Sequence, residues 1–440
     1  MTTTEVRPPR TRAPERSGVR ADLLVVAITA VAVGLTVWWG RRLERQGSVI
    51  LLHGAEPLAG PLRTRFDGMS VAACFLAVAF VIALPWFSQK AGWRTLLAGG
   101  AAAQALWSVC LALTDGVHKG LIDRMTPKDE YLHDIHRFSG PIQLLRSFTD
   151  HIATPTGQDQ WATHVGGHPP GALLTFWGLD RLGLSGGGWA AALCVAGGAL
   201  SVPATLITIR AVHREATARA VAPFLITIPA VVWIAASADA WFLGVTSWGI
   251  ALLAVATKRR SDIAAVAGGV LLGYGLYLSY GLVLLAPLAL VVARKRALAV
   301  GTVGVLAVVG AFTAGGFWWF DGLSRASYRV HVGAAGDRPF HYFVIANLAA
   351  LAIAVGPAAL VGLRRMHRDA TAWLIGAAAL GIAVADLSGL ARGEVERIWL
   401  PFMPWILAAT AYLPHGHRRA WLAGQLALGI VVQSMVVSLW

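Results

Sequence analysis

The sequence predicts an all-α polytopic membrane protein of about 13 transmembrane helices, with a large outer loop that carries the polar chemistry. Three observations lead there. Hydrophobic residues make up 56% of the 440, mean hydropathy is +0.61 and only 14% are charged, whereas a soluble domain sits near about 25% charged. Apolar runs of roughly 20 residues recur, the length that crosses a hydrocarbon core of about 30 Å. The basic residues behind the net charge of +14 fall in short clusters between those runs. That distribution follows the positive-inside rule for cytoplasmic loops and points away from a nucleic-acid partner.

The elements follow in order. Residues 1–20 carry Arg7, Arg10, Arg12, Arg16 and Arg20 among Pro and Thr and read as a disordered cytoplasmic tail. No short h-region with a small-residue cleavage site precedes the first apolar run, so that run is expected to remain as a helix. The candidate spans are 21–40, 69–88, 94–114, 187–210, 219–236, 240–256, 262–276, 278–293, 297–319, 341–363, 370–388, 397–413 and 419–439, all within one membrane domain, 21–440.

Segment 169–184 is short for a span. If it crossed, the basic stretches "IRAVHREATAR" (209–219), "TKRRSD" (257–262), "ARKRA" (293–297), "LRRMHRD" (363–369) and "HGHRRA" (415–420) would all fall outside. As a juxtamembrane helix on the outer face it leaves all five in the cytoplasm with the N-terminus. Loop 41–68 stands against this topology, being external yet carrying Arg41, Arg42, Arg45, Arg63 and Arg65. Residues 262–293 divide into two short helices turning at "LYLSYG" (276–281), which puts Tyr277 and Tyr280 at the outer interface. Cys74, Cys110 and Cys194 lie inside apolar runs and are expected to pack as small residues, without a disulfide framework.

With that topology the polar features gather on the outer face. They are an outer catalytic loop, 115–186, a second outer loop, 320–341, the turn "ASADAW" (236–241) and "ARGEVERIW" (391–399). Long connections without strands are usually functional. Asp129 and Glu130 are adjacent acids, which raise one another's proton affinity and suit general-base work. Their simpler reading is a solvated acidic turn balanced by Lys128 and Arg137. Tyr131, Asp134 and His136 follow directly.

In "GGHPPGALL" (166–174), two glycines and two prolines set a rigid helix entry, holding His168 where backbone amides favour an anion such as a phosphate. The alternative is a helix-start device with an incidental histidine. His133, His136, His164 and His168 with Asp134 form an alternative divalent-metal set, although Gly166 and Gly167 interrupt the spacing of His164 and His168. No cofactor is otherwise required. At 392–405, Arg397 offers a bidentate clamp for a lipid phosphate, with Glu394 or Glu396 orienting it and Arg392 beside it. An interfacial salt-bridge cluster is the alternative. Arg325, Arg329 and Arg338 are further phosphate candidates, and Asp239 is a helix cap or an acid of the site.

The order of "KDEYLHD" and then "GGHPPGALLTFWGLDRLG" resembles the GT-C superfamily of polyprenyl-phosphate-sugar-dependent glycosyltransferases. It is most similar to the protein O-mannosyltransferases and the lipid A aminoarabinose transferases. The Asp239 turn and "GVLLGYGLYLSYGLVLLAPLALVV" (269–292) add to the resemblance. It implies Asp129 as catalytic base with Glu130 beside it, and a donor phosphate held by His168, Arg397 and Arg392. Tyr131, Asp134, His136, His164, Asp239, Glu394 and Glu396 would support them.

The implied function is inverting transfer of a hexosyl or pentosyl group from a polyprenyl phosphate to an acceptor hydroxyl. The acceptor would be a cell-envelope glycan, lipid or protein at the outer face of the cytoplasmic membrane. Two departures, Ser279-Tyr280 where many members carry a Lys-Tyr or Lys-Thr pair and two helices before a catalytic loop that usually follows the first, place the chain in a divergent branch. The Ala/Gly/Arg-rich composition fits an actinobacterial one. A lipid or small-molecule transporter or flippase is the alternative. It requires ionisable groups at mid-membrane, where Asp386 is the main candidate. A non-catalytic scaffold is the third reading.

Overall fold

The structure is a computed structural model, which describes residues 16–154, 159–235 and 237–438. Among these, every regular element is helical, and one isolated antiparallel bridge joins Leu62 to Val436. Of the expected tail, residues 1–15 lie outside the described residues, and Arg16 to Arg20 open the first helix.

Helices α1 (Arg16–Arg45), α2 (Gly68–Lys90) and α3 (Trp93–Ala112) come first. A capping box starts α2, with Asp67 accepting from the Ser70 N–H at 2.9 Å. Short turns, α4 (Pro141–Ser147) and α5 (Thr163–Gly167) fill the long loop, and α6 (Pro170–Arg181) closes it. Then follow α7 (Gly187–Val212), α8 (Glu215–Ile226), α9 (Asp239–Arg259), α10 (Asp262–Leu278), α11 (Ala286–Val292) and α12 (Lys295–Ala314). The chain ends with α13 (Trp319–Val332), α14 (Phe340–Arg364), α15 (Ala370–Leu387), α16 (Val395–Ile398), α17 (Met403–Leu407) and α18 (Arg418–Met435).

Eight helices among the described residues are long and apolar enough to cross a membrane, and shorter apolar ones occupy 262–278, 280–292 and 400–412. An expected count of thirteen further requires α8 with the turn after it, and α18. Helix α6 has 12 residues, about 18 Å at 1.5 Å per residue, too short for a core of about 30 Å.

Both ends of the bundle are defined by charge. At one, Asp22 sits between Arg364 and Arg365, each at 2.6 Å. Arg219 grips Glu215 and the carbonyls of Ser88 and Ala91, and Arg418 reaches the Ala220 carbonyl. The Arg294 N–H donates to Thr257. All five basic clusters therefore share the end at which α1 begins. At the other end, Asp115 pairs with Arg65 and Arg124, Gln433 donates to Thr114, and Glu396 accepts from the Ala59 N–H. Loop 41–68 thus shares an end with residues 114–124 and 396, and Arg65 pairs with Asp115 there.

Close helix approach depends on glycine. A Cβ on Gly269 of α10 would collide with the Gly301 carbonyl of α12, and one on Gly244 of α9 with the Gly197 backbone of α7. This tight α7–α9–α10–α12 stack supports the outer-face site.

The structure corrects four expectations. Spans 219–236 and 397–413 are broken, because Pro229 and then Pro401 and Pro404 interrupt the backbone ladder. Helix α1 continues to Arg45, past the expected end at 40. Much of the second outer loop is helical, since Leu323, Ala326 and Val330 recur at helical spacing in α13. The chain does turn at Ser279, but Tyr277 and Tyr280 are buried, stacking on Phe312 and against Trp319 rather than facing the interface.

Gly269→Val is expected to destabilise the detergent-solubilised protein by on the order of 1–3 kcal/mol through overpacking. A thermal melt reads this, with Gly310→Ala as control, since nothing lies within 4 Å of that position.

Candidate active site

The acid pair and the His-Pro-Pro segment are brought together by backbone and side-chain ties. Asp134, fully buried, accepts from the Ala162 N–H at 2.7 Å and from Arg137 at 3.0 Å. The His164 N–H donates to the Asp129 carbonyl at 3.0 Å. From α13, Arg329 donates to the carbonyls of Ile152 and Trp161, and its guanidinium lies where a Gly166 Cβ would be. Asp134 and Arg329 are therefore structural ties, and Gly166 is small because a cation passes over it.

The acid pair is split. Glu130 is buried, with Oε1 2.8 Å from His164 Nδ1. Asp129 is exposed and accepts from the Thr163 hydroxyl at 2.8 Å.

Arg397 is the hub. It is 5% exposed and donates to Asp239 at 2.9 Å and to Glu394 at 2.7 Å. Its Nη2 lies 3.0 Å from His164 Nε2. A guanidinium has no lone pair to give, so Nε2 accepts and the proton of His164 sits on Nδ1, donated to Glu130. Glu130, His164 and Arg397 thus form one connected line, with Asp239 fixing its far end from the first turn of α9.

Glu394 adopts a left-handed backbone with φ of 63°, after Gly393 at 97°. Burial pushes its carboxyl up, but Arg397 and Arg338 outweigh that and hold it below the usual range.

His168 is extended before Pro169, and its Nδ1 donates to the His164 carbonyl at 2.7 Å. Burial holds the imidazole below its ordinary value, against the pull of Asp239. Its remaining Nε2 is therefore an acceptor until the ring gains a proton. Tyr131 packs between His168 and Phe176 at ring distances of 5.9 and 5.3 Å. Its phenol is pushed well up by burial and further by Asp239 and Glu130, so it stays neutral.

A cleft of about 330 Å³ opens beside this hub. His168 and Arg397 line it, and Leu284, Leu323, Val384 and Phe402 are among its apolar walls. Sequence reasoning missed these walls, which come from four separated elements. The helical spacing in 319–332 was the one available signal.

The other expected residues lie elsewhere. Arg392 donates to the carbonyls of Gly389, Gly336 and Arg338, tying two outer loops together. Glu396 is fully buried, and its Oε1 accepts from Ala59 N–H at 2.9 Å, anchoring segment 46–60. His136 lines a separate cleft with His133 and Asp180. Arg325 pairs with Asp321 at 3.3 Å on the outside of α13. Asp386 takes an Asn347 amide proton at 2.8 Å, and Asn347 reaches Ala391 and Gly393, so this acid pins the loop before Arg397.

The proposed metal donors do not fit a metal. His164 is engaged at both nitrogens, His168 at one, and Asp134 at both oxygens. No group of three or more His, Cys, Asp or Glu among the described residues is placed to hold an ion.

No family model matches the sequence, and no curated protein does. Among solved structures, the chain is similar to ArnT from Cupriavidus metallidurans in the apo state, at 16% identity and a TM-score of 0.43, over 71% of this chain and 59% of that one. It is also similar to the Archaeoglobus fulgidus oligosaccharyltransferase in complex with zinc and sulfate, at 15% identity and a TM-score of 0.43, over 84% of this chain and 53% of that one. The chain spans little more than half the length of either.

Burial raises the Glu396 carboxyl from 4.5 to about 7. An acid whose folded value is raised contributes stability that is fully present below the ordinary value and lost as pH rises through the folded one. Thermal stability is therefore expected to fall between about pH 4.5 and 7, and Glu396→Gln to flatten that slope. An unchanged slope in the variant's melts would remove Glu396 as its cause.

Proposed function

We propose that this chain is an integral membrane glycosyltransferase of GT-C type. It moves a hexosyl or pentosyl group from a polyprenyl phosphate to an acceptor hydroxyl at the outer face of the cytoplasmic membrane, with its N-terminus cytoplasmic. One observation carries the reading: a largely apolar cleft is lined by a buried guanidinium and an imidazole. A lipid phosphate needs that combination, an apolar channel for the chain and charged donors at its head.

The residues take distinct roles. Arg397 holds the donor phosphate. Its fork is occupied by Asp239 and Glu394, so the phosphate displaces one of them. Glu394 is the one that yields, being more exposed at 21% against 5% and held on a left-handed backbone. The phosphate's charge raises the proton affinity of His168, whose ring then donates to it.

Asp129 is the base. It is exposed, and among the described residues only the Thr163 hydroxyl bonds its carboxylate. It takes the acceptor proton as the acceptor oxygen bonds to the anomeric carbon from the face opposite the phosphate. The anomeric carbon–oxygen bond breaks, and polyprenyl phosphate leaves with the electron pair, stabilised by Arg397. Glu130 acts through His164, keeping its tautomer and hence the pose of Arg397. Arg392 moves from phosphate contact to loop positioning.

The test is transfer from defined polyprenyl phosphate sugars by purified protein. Asp129→Asn is expected to lower turnover about 10²–10⁴-fold, the range for a general base. Arg397→Lys is expected to lose on the order of 10²-fold, since an ammonium cannot span both partners. Full activity in Asp129→Asn with loss in Glu130→Gln would transfer the base to Glu130. Full activity in all three variants would sink the proposal.

A further inference from the structure

A cavity lies at the opposite end from the candidate active site. It measures about 700 Å³ and opens among α7, α9, α11 and the start of α15. Its polar lining consists of Lys258, Arg260, Arg294 and Thr257, and Val292 and Trp373 are among its apolar walls. No carboxylate lines it among the described residues.

The nearby acids are already committed. Asp369 is taken by the Tyr412 hydroxyl at 2.5 Å and the Ala372 N–H. Glu215 pairs with Arg210 and Arg219, and Asp262 with Arg296. Neither Arg260 nor Arg294 makes an ion pair among the described residues, and Lys258 donates only to the Arg210 carbonyl at 3.2 Å.

The neighbouring cleft at the same end offers a contrast. It holds Arg219, Arg418 and Arg419, and the first two are spent on Glu215 and on backbone carbonyls, which leaves it Arg419. A cationic surface by itself is therefore not the distinguishing feature. Three cations around a preformed cavity, with the local acids neutralised elsewhere, are.

Depth identifies the occupant. Trp373 is 70% exposed at the start of α15, and Ile263 is 85% exposed at the start of α10. Both stand on the outer surface of apolar helices where those helices begin, the level at which indole rings meet lipid headgroups. We propose that this cavity binds the headgroup of an anionic phospholipid from the leaflet on that side. Lys258, Arg260 and Arg294 contact its phosphate, and Val292 and Trp373 flank its glycerol and upper acyl chains. This site is independent of the transfer reading and is tested without measuring transfer.

The experiment uses the full chain, purified in non-ionic detergent and titrated with phosphatidylglycerol or phosphatidylcholine. Melting temperature and lipid retention in native mass spectrometry are read. A ligand that binds only the folded state raises the melting temperature, so phosphatidylglycerol is expected to stabilise and to remain bound, and phosphatidylcholine to do neither. Neutralising Lys258, Arg260 and Arg294 to Gln should weaken phosphatidylglycerol binding by about fivefold for each charge removed. Arg294→Gln alone reports if the triple variant misfolds, since the tie from Arg294 to α9 uses its backbone N–H.

Unchanged phosphatidylglycerol binding in these variants overturns the proposal. Equal stabilisation by inorganic phosphate overturns the lipid assignment in favour of a soluble anion. The double variant Arg41→Gln, Arg42→Gln, at the other end, should keep the full effect. An equal loss there would show diffuse surface charge and end the proposal.

Discussion

The arrangement of the candidate site depends on one buried guanidinium. Arg397 sits 5% exposed at the head of a run of broken helix, and an uncompensated charge in that position costs several kcal/mol. Its charge is met by Glu394, three residues before it, and by Asp239, 158 residues away in sequence, while His164, 233 residues away, accepts from it. The site therefore closes only when α9, the 129–168 loop and segment 394–398 have all docked. Asp239 is in turn placed by α9, whose Gly244 rests directly on the backbone of α7 at Gly197. Helix packing in the apolar layer and charge placement above it are one problem, solved together.

This explains which parts were legible in sequence. Apolar runs and basic clusters reveal spans and sidedness because the membrane imposes both on every residue. Hence the two-part reading of 262–293, the non-spanning 169–184 segment and the shared end of the five basic loops all follow from composition. Breaks at Pro229, Pro401 and Pro404 were equally visible and were underweighted, because apolar runs dominate when length is the criterion. Helix α13 was concealed by its mixed composition. It packs on the bundle along one face, so a search for fully apolar runs passes over it.

Site residues were legible by type and not by partnership. Glu130, His164, Asp239, Glu394 and Arg397 were all nameable as polar groups in an apolar chain. Their mutual contacts were not, since no local spacing relates residues that far apart. Adjacent acids made the clearest case. Asp129 and Glu130 look equivalent in sequence, yet one backbone step turns one into solvent and the other against an imidazole. The same limit applies to Arg392, Glu396 and Asp386, whose carbonyl, amide and side-chain partners make them struts.

The left-handed conformation of Glu394 has a consequence for sequence drift and for engineering. A side chain there costs roughly 1–2 kcal/mol that glycine does not, and the ion pair with Arg397 offsets it, since removing one partner of a buried pair costs about 3–5 kcal/mol. Glycine at 394 would relieve the backbone and leave Arg397 with Asp239 alone of these two acids. Position 394 is thus a place where backbone preference and charge placement pull in opposite directions, and the charge decides.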